Sequence, residues 1–266
     1  MACCPNPLHC ILPPYILDHM AESGDPKVRR LAIDAIARSA TLRATRTALG
    51  AVSTGASLIA PDTKKNRIVY DNKNNGSTFL PGKLVRREGD KKSADPAVNE
   101  AYDHAGTTYD FYKKVLERNS LDDRGMPLVS SVHVGSRYNN AFWNGRQMAY
   151  GDGDGQIFIR FTKSLDVVGH ELTHGVVTNT CDLEYLNESG ALNEHFADVF
   201  GSLVKQWKKK QTAAKADWLI GPDIMGPATT AKSLRTFKAG LAYEVAIARG
   251  QDPDAPRALS KVTETR

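Results

Sequence analysis

A chain of 266 residues with 41% apolar and 24% charged side chains can bury a sizeable core, as one large domain or two lobes. Its net charge of +5, from 35 Lys and Arg against 30 Asp and Glu, is too mild to point to nucleic acid, and no apolar run approaches a membrane span. Collagen-like, coiled-coil and disordered compositions are excluded as well.

Cys3, Cys4 and Cys10 crowd the first ten residues and Cys181 stands alone, which is no disulfide framework. Cys3, Cys4, His9 and Cys10 could clasp a metal, but they lack a second ligand pair, and a loose N-terminus is the preferred reading. Pro5, Pro7, Pro13 and Pro14 interrupt every stretch that would serve as a signal-peptide core, so no standard secretory signal is expected. Asp25-Pro26, a cap followed by proline at the first helical position, opens an amphipathic helix over 25–49 with Val28, Leu31, Ala32 and Ala35 on one face. A boundary is expected in the small-residue stretch after Gly50. Short strands are predicted at Arg67–Tyr70, Leu128–Val134, Gln147–Tyr150 and Gln156–Phe161, with a turn at Asn72–Ser77 and a long helix from about Pro96 to Arg118 between them. From Ser164 the pattern is predominantly helical, so the fold class is α+β.

The strongest chemical signal is His170-Glu171-Leu172-Thr173-His174, flanked by Leu165, Val167, Val168, Val176 and Val177 and therefore read as a buried helix. Residues four apart lie one turn apart on the same face. Both imidazoles can reach one cation, best zinc, while Glu171 addresses a water on it. Chance would produce such a pentapeptide in a chain this long on the order of one time in a hundred. A third ligand must come from a neighbouring helix that folds back as a hairpin. Glu194 meets that need, on a second amphipathic helix beginning near Asn187 and carrying Phe196, Val199, Phe200, Leu203 and Val204. Asp198, four residues on, shares the face and can accept the second ring N–H of a ligating histidine.

Four ordered blocks resemble the thermolysin family of zinc metallopeptidases: Tyr138–Gly145, Gly151–Gly155, His170–His174 and Asn187–Glu194. The similarity runs from about Arg67 through Arg235, and Ile11–Leu17 resembles the short prosegment of the protealysin branch. The resemblance implies a prosegment over 1–50 acting as an intramolecular inhibitor, a mixed β-rich N-terminal lobe over 51–180, and a helical C-terminal lobe over 181–266. It implies endopeptidase activity on peptide or protein substrates, outside the cell by likeness although an intracellular stage stays open. It further implies that Tyr185 hydrogen-bonds the tetrahedral intermediate, that Asn140 and the Ala141 backbone hold the substrate chain, and that Arg235 grips a substrate carbonyl.

Departures from the family pattern carry expectations of their own. None of the seven histidines follows His195, whereas the family has a late histidine that stabilises the oxyanion. Only 26 residues follow Gly240, so the helical lobe reads as truncated, with apolar faces around Glu194 left uncovered. An alternative therefore stays open: a catalytically impaired relative that binds zinc and peptide as an interaction module. Asp166, Asp217 and Asp223 match family calcium positions, but Lys205 and Pro222 stand where carboxylates are expected. A double calcium site is therefore not expected, and a single weak one stays open. Gly151–Gly155 fails the EF-hand spacing and reads as a tight turn near the cleft. Lys205, Lys208, Lys209 and Lys210 around Trp207 read as a helix C-terminus. His104 and His133 belong to no metal spacing and read as ordinary core or surface histidines.

Overall fold

The structure, a computed structural model, describes residues 9–12, 14–50, 64–76, 80–184 and 187–237. Two helices, α1 (Pro14–Ala21) and α2 (Pro26–Gly50), lie between the first strand of the main sheet and the rest of it. The expected cap is present, with Asp25 Oδ1 accepting the Lys27 N–H at 2.8 Å. Val28, Ala32 and Ala35 are buried at helical spacing, while Lys27, Arg29 and Arg30 face outward.

One mixed sheet holds β1 (His9–Cys10), β2 (Arg67–Asp71), β3 (Lys83–Arg87), β4 (Leu128–Val132), β5 (Ala141–Trp143) and β6 (Met148–Tyr150) in the order β1-β5-β6-β4-β2-β3. β4 runs parallel to both β2 and β6, and the remaining pairs are antiparallel. Strands buried on both faces carry continuous apolar runs, which is why Ala141-Phe142-Trp143 and Met148-Ala149-Tyr150 are buried throughout. α3 (Pro96–Val115) crosses the sheet, capped by Asp95 with proline at its first turn. Its last turns carry Phe111 and Tyr112 to a small second cluster with Val204.

The stretch Gln156–Phe161 corrects the strand expectation. It holds only one isolated bridge, Phe158 to Met225, and then a 3₁₀ turn at Phe161–Lys163. Asp154 Oδ1 accepts the N–H groups of Gln156, Ile157 and Phe158, and this curls the chain away from an extended path. The predominantly helical part after Ser164 also carries β7 (Leu219–Ile220) and β8 (Arg235–Thr236), a small antiparallel pair after the helical hairpin.

That hairpin is α4 (Leu165–Thr178) packed on α5 (Asn187–Lys209). The two helices meet through glycines. A Cβ on Gly201 would lie 2.5 Å from the Asp166 carbonyl oxygen and 2.9 Å from the His170 nitrogen, and one on Gly169 would lie 3.2 Å from the Gly201 Cα. Backbone-to-backbone approach of this kind is open only to glycine. It brings α5 close enough for short carboxylate side chains to reach the α4 histidines. Leu192 and Phe196 on the outer face of α5 are exposed, as are Val115 and Leu116 beside them. Among the described residues no helix is long and apolar enough to cross a membrane.

Candidate metal centre

α4 is buried almost throughout, and His170, Glu171 and His174 are fully enclosed. The two imidazoles meet edge to face, with Nε2 of each 3.0 Å from the other. Glu194 on α5 offers Oε2 to His170 Nε2 and Oε1 to His174 Nε2, both at 3.4 Å. Ligand atoms of these three residues lie within 4.8 Å of one another, the one such group of histidines, cysteines and carboxylates among the described residues.

The outer edges of both rings are engaged. His170 Nδ1 lies 2.8 Å from Asp198 Oδ1, and His174 Nδ1 lies 2.8 Å from Asn193 Oδ1. Both partners are oxygens, so each Nδ1 carries the proton and donates it, leaving the two Nε2 lone pairs facing one another. Two lone pairs 3.0 Å apart repel, so either a proton on one Nε2 or a metal cation must lie between them. The donor set, two neutral imidazoles and a carboxylate, is the one zinc takes in hydrolytic sites, so these residues fit that ion.

The charges reinforce one another. Burial disfavours the carboxylate of Glu194, yet His174 and His170 outweigh it and hold this side chain well below the ordinary carboxylate range. Burial likewise opposes ionisation of Asp198, but Arg235 and His170 keep it low. Burial pulls the His170 imidazole down, but Asp198 and Glu194 raise it to about 10. For Glu171 burial prevails, aided by the charge of Glu194, and the carboxyl is raised well above its usual value. Glu171 Oε2 accepts the Trp143 N–H at 3.0 Å, and Oε1 has no hydrogen-bond partner among the described residues.

The N-terminal segment lies along this centre. β1 pairs antiparallel with β5, with His9 opposite Trp143 and Cys10 opposite Phe142. Ile11 then donates its N–H to the Ala141 carbonyl at 3.3 Å, and Leu12 donates to Asn140 Oδ1 at 3.1 Å. Arg235 Nη1 donates to the Ile11 carbonyl at 2.9 Å, while its Nε and Nη2 grip Asp198 at 2.7 and 2.6 Å. Asn140, Ala141 and Arg235 therefore all hold main chain, and the chain they hold is the protein's own. Tyr185 lies outside the described residues, as do Cys3, Cys4 and everything after Phe237.

Asn193 was missed in the sequence because its type also serves helix starts, and its only cue is adjacency to Glu194. Lys205 corrects the reading that grouped it with the lysines of the helix C-terminus. It is buried on the inner face of α5, where its ammonium bonds Asp166 Oδ2 at 2.8 Å, Asp217 Oδ1 at 3.0 Å and the Leu219 carbonyl at 2.5 Å. Lys208 and Lys209 do lie in the last turn of α5. Trp207 packs edge-on against Phe111. His133 is more than an ordinary surface histidine, since both its nitrogens face carboxylates.

A mixed sheet lobe, a helical hairpin and a buried His-Glu-His cluster beside a second carboxylate, Glu194, are the marks of a metal-dependent hydrolase. The sequence profile of the thermolysin metallopeptidase catalytic domain matches residues 39–178, and that of the family's alpha-helical domain matches residues 181–257. The chain belongs to the thermolysin metallopeptidase family. It is 42% identical over 262 residues to an extracellular metalloprotease of Pectobacterium carotovorum subsp. carotovorum, a match covering 98% of this chain and 73% of that one. It is 43% identical over 237 residues to Protease PrtS of a Photorhabdus strain, covering 88% of this chain and 63% of that one. Among solved structures, the precursor of protealysin, a metalloproteinase from Serratia proteamaculans, superposes with a TM-score of 0.76 at 44% identity, covering 89% of this chain and 68% of that one. The chain thus spans roughly two thirds of these relatives' length.

Proposed function

We propose that the protein is a zinc-dependent endopeptidase in which Glu171 is the general base. The observation that carries this reading is the convergence of two buried Nε2 atoms and the Glu194 carboxylate, with an oxygen against Nδ1 of each ring, a donor set that suits zinc. His170, His174 and Glu194 would hold the zinc, which when bound polarises a carbonyl and acidifies water. Glu171, with its raised proton affinity and unengaged Oε1, would take a proton from an attacking water and return it to the leaving amine. Asp198 and Asn193 hold the histidine tautomers, and Asp198 also orients Arg235. Asn140 and the Ala141 backbone bind substrate main chain and Arg235 binds a carbonyl, as each does with Ile11 and Leu12. Tyr185 supplies a hydrogen bond to the developing oxyanion.

The same contacts support residues 1–50 as a prosegment that blocks the cleft, and the precursor state of the protealysin structure is in keeping with this. We divide the remainder into lobes at 51–180 and 181–266; the junction of the two family profiles, between 178 and 181, supports the boundary between the lobes, while the first profile begins at 39, within the proposed prosegment. Action outside the cell is supported by the naming of the Pectobacterium relative. Calcium has no part in this reading: the Lys205 ammonium takes Asp166 and Asp217, and Asp223 is exposed. No nucleic-acid or membrane partner is proposed.

The alternative to be separated from this reading is an impaired relative that keeps zinc and peptide binding. Zinc content and casein cleavage after prosegment processing separate the two, with Glu171→Ala as control. One zinc per chain, with cleavage falling about 10²–10⁴-fold in the variant, supports the peptidase. Zinc without cleavage above the control supports the impaired relative, and no zinc overturns both.

A further inference from the structure

The cleft edge that holds Ile11 and Leu12 begins at Tyr138 and ends in β5, and the bonds that fix its first residues come from one turn. Gly151 donates to the Asn140 carbonyl at 2.9 Å and Gly153 to the Tyr138 carbonyl at 3.1 Å, while Asn139 Nδ2 donates to Asp154 Oδ2 at 2.9 Å. Between the two glycines stands Asp152. Its Oδ1 and Oδ2 lie 2.9 and 2.8 Å from His133 Nδ1, and on the other side His133 Nε2 lies 2.7 Å from Asp95 Oδ2. A neutral imidazole has one N–H and would turn a lone pair toward one of these carboxylates, so the form that fits is the imidazolium donating from both nitrogens. His133 itself is fixed by backbone at φ 54°, and its carbonyl accepts the Asn74 N–H at 2.8 Å. Asp95 caps α3 through Oδ1, which accepts the Ala97 N–H at 2.8 Å, so its Oδ2 is the oxygen that serves His133. The neighbouring charge is Arg160, paired with Glu100 on α3.

We propose that His133 is a positioning residue for the peptide-binding edge, tying the Gly151–Gly155 turn to the start of α3 and thereby holding Tyr138–Ala141 where a peptide main chain docks. A bridge of two charge-assisted hydrogen bonds anchors the turn at Asp152, and the turn in turn presents Asn140 and the Ala141 carbonyl. Its role in catalysis rests on the peptidase reading, while its mechanical role does not. No contact of His133 with Glu171, His170, His174 or Glu194 is needed, so removing the bridge changes how peptide is held and leaves the metal ligands in place.

Two variants test this. His133→Gln cannot span both carboxylates, and Asp95→Asn keeps an equally good helix cap while removing the charge facing His133. In the full-length, zinc-loaded chain, amide hydrogen exchange over residues 136–155 is expected to be about tenfold faster in each variant, with zinc content unchanged. After prosegment processing, KM for a fluorogenic peptide is expected to rise several-fold with kcat within about twofold, a split that general loosening of the fold would not give. Exchange equal to the parent in Asp95→Asn overturns the proposal, as does a fall in kcat at constant KM. A parent that holds zinc and cleaves nothing overturns the peptidase reading alone, and the exchange result then decides this one. Should His133→Gln fail to fold, Asp95→Asn carries the test.

Discussion

Replacing Lys205 by methionine keeps most of the side-chain volume and deletes the ammonium. The lost charge sits between Asp166, wholly buried at the first turn of α4, and Asp217 ahead of β7. Methionine fills the stem's space at a packing cost below about 1.5 kcal/mol. The larger cost is the carboxylate left without its partner, about 3–5 kcal/mol for a broken buried pair. Asp166 would still accept from the Ser164 hydroxyl and the Val167 and Gly221 N–H groups, which favours the lower end, about 3 kcal/mol. With a urea m-value of about 3 kcal/mol/M, the unfolding midpoint read by tryptophan fluorescence falls by about 1 M. Adding Asp166→Asn to Lys205→Met removes the stranded charge and is expected to recover more than half of that loss. A single variant within about 1 kcal/mol of the parent, or a double variant less stable than the single, would refute the claim that Lys205 neutralises Asp166.

Gly201→Ala pushes a methyl into the Asp166 carbonyl and the His170 amide, so it should cost about 1–3 kcal/mol and weaken zinc binding, read by thermal unfolding and chelator competition. Asn193→Ala leaves the His174 Nδ1–H without its acceptor and is expected to lower zinc affinity about 10–100-fold in the same competition assay. The His133 imidazole is raised from 6.5 to about 9, by Asp152 against the pull of burial and with help from Asp95. A raised folded-state value means that its stabilisation is complete below about pH 6.5 and disappears as pH climbs through about 9. Discounted for partial exposure, about 1 kcal/mol is at stake, a melting-temperature loss of about 2–4 °C between pH 7 and pH 10 that His133→Gln should not show.

The His170–His174–Glu194 cluster was legible because its logic is local. His170 and His174 sit four apart on one helix, Glu194 and Asp198 four apart on the next, and a hairpin is the simplest way to join them. β5 escaped notice because Ala141-Phe142-Trp143 is too short and too uniformly buried to alternate. β3, with the sequence Lys-Leu-Val-Arg-Arg, is too polar to announce itself. Gln156–Phe161 misled in the opposite sense, since Ile157, Ile159 and Phe161 alternate while Asp154 bends the backbone beneath them. The Asp95–His133–Asp152 bridge was out of reach for another reason: its partners lie 38 and 19 residues from the histidine, and only the parallel sheet and the start of α3 bring them together. Lys205 reads as one of several lysines until the helix phase is known, and the phase alone turns it inward.

One carboxylate serves two masters. Asp198 Oδ1 is shared between His170 Nδ1 and Arg235 Nη2, and Oδ2 belongs to Arg235 Nε. Any lesion in the arginine will therefore be felt by the imidazole across the shared oxygen, so a weakened carbonyl clamp will masquerade as a weakened metal ligand. Titrating zinc and measuring peptide affinity on the same Arg235 variant is the way to tell the two symptoms apart.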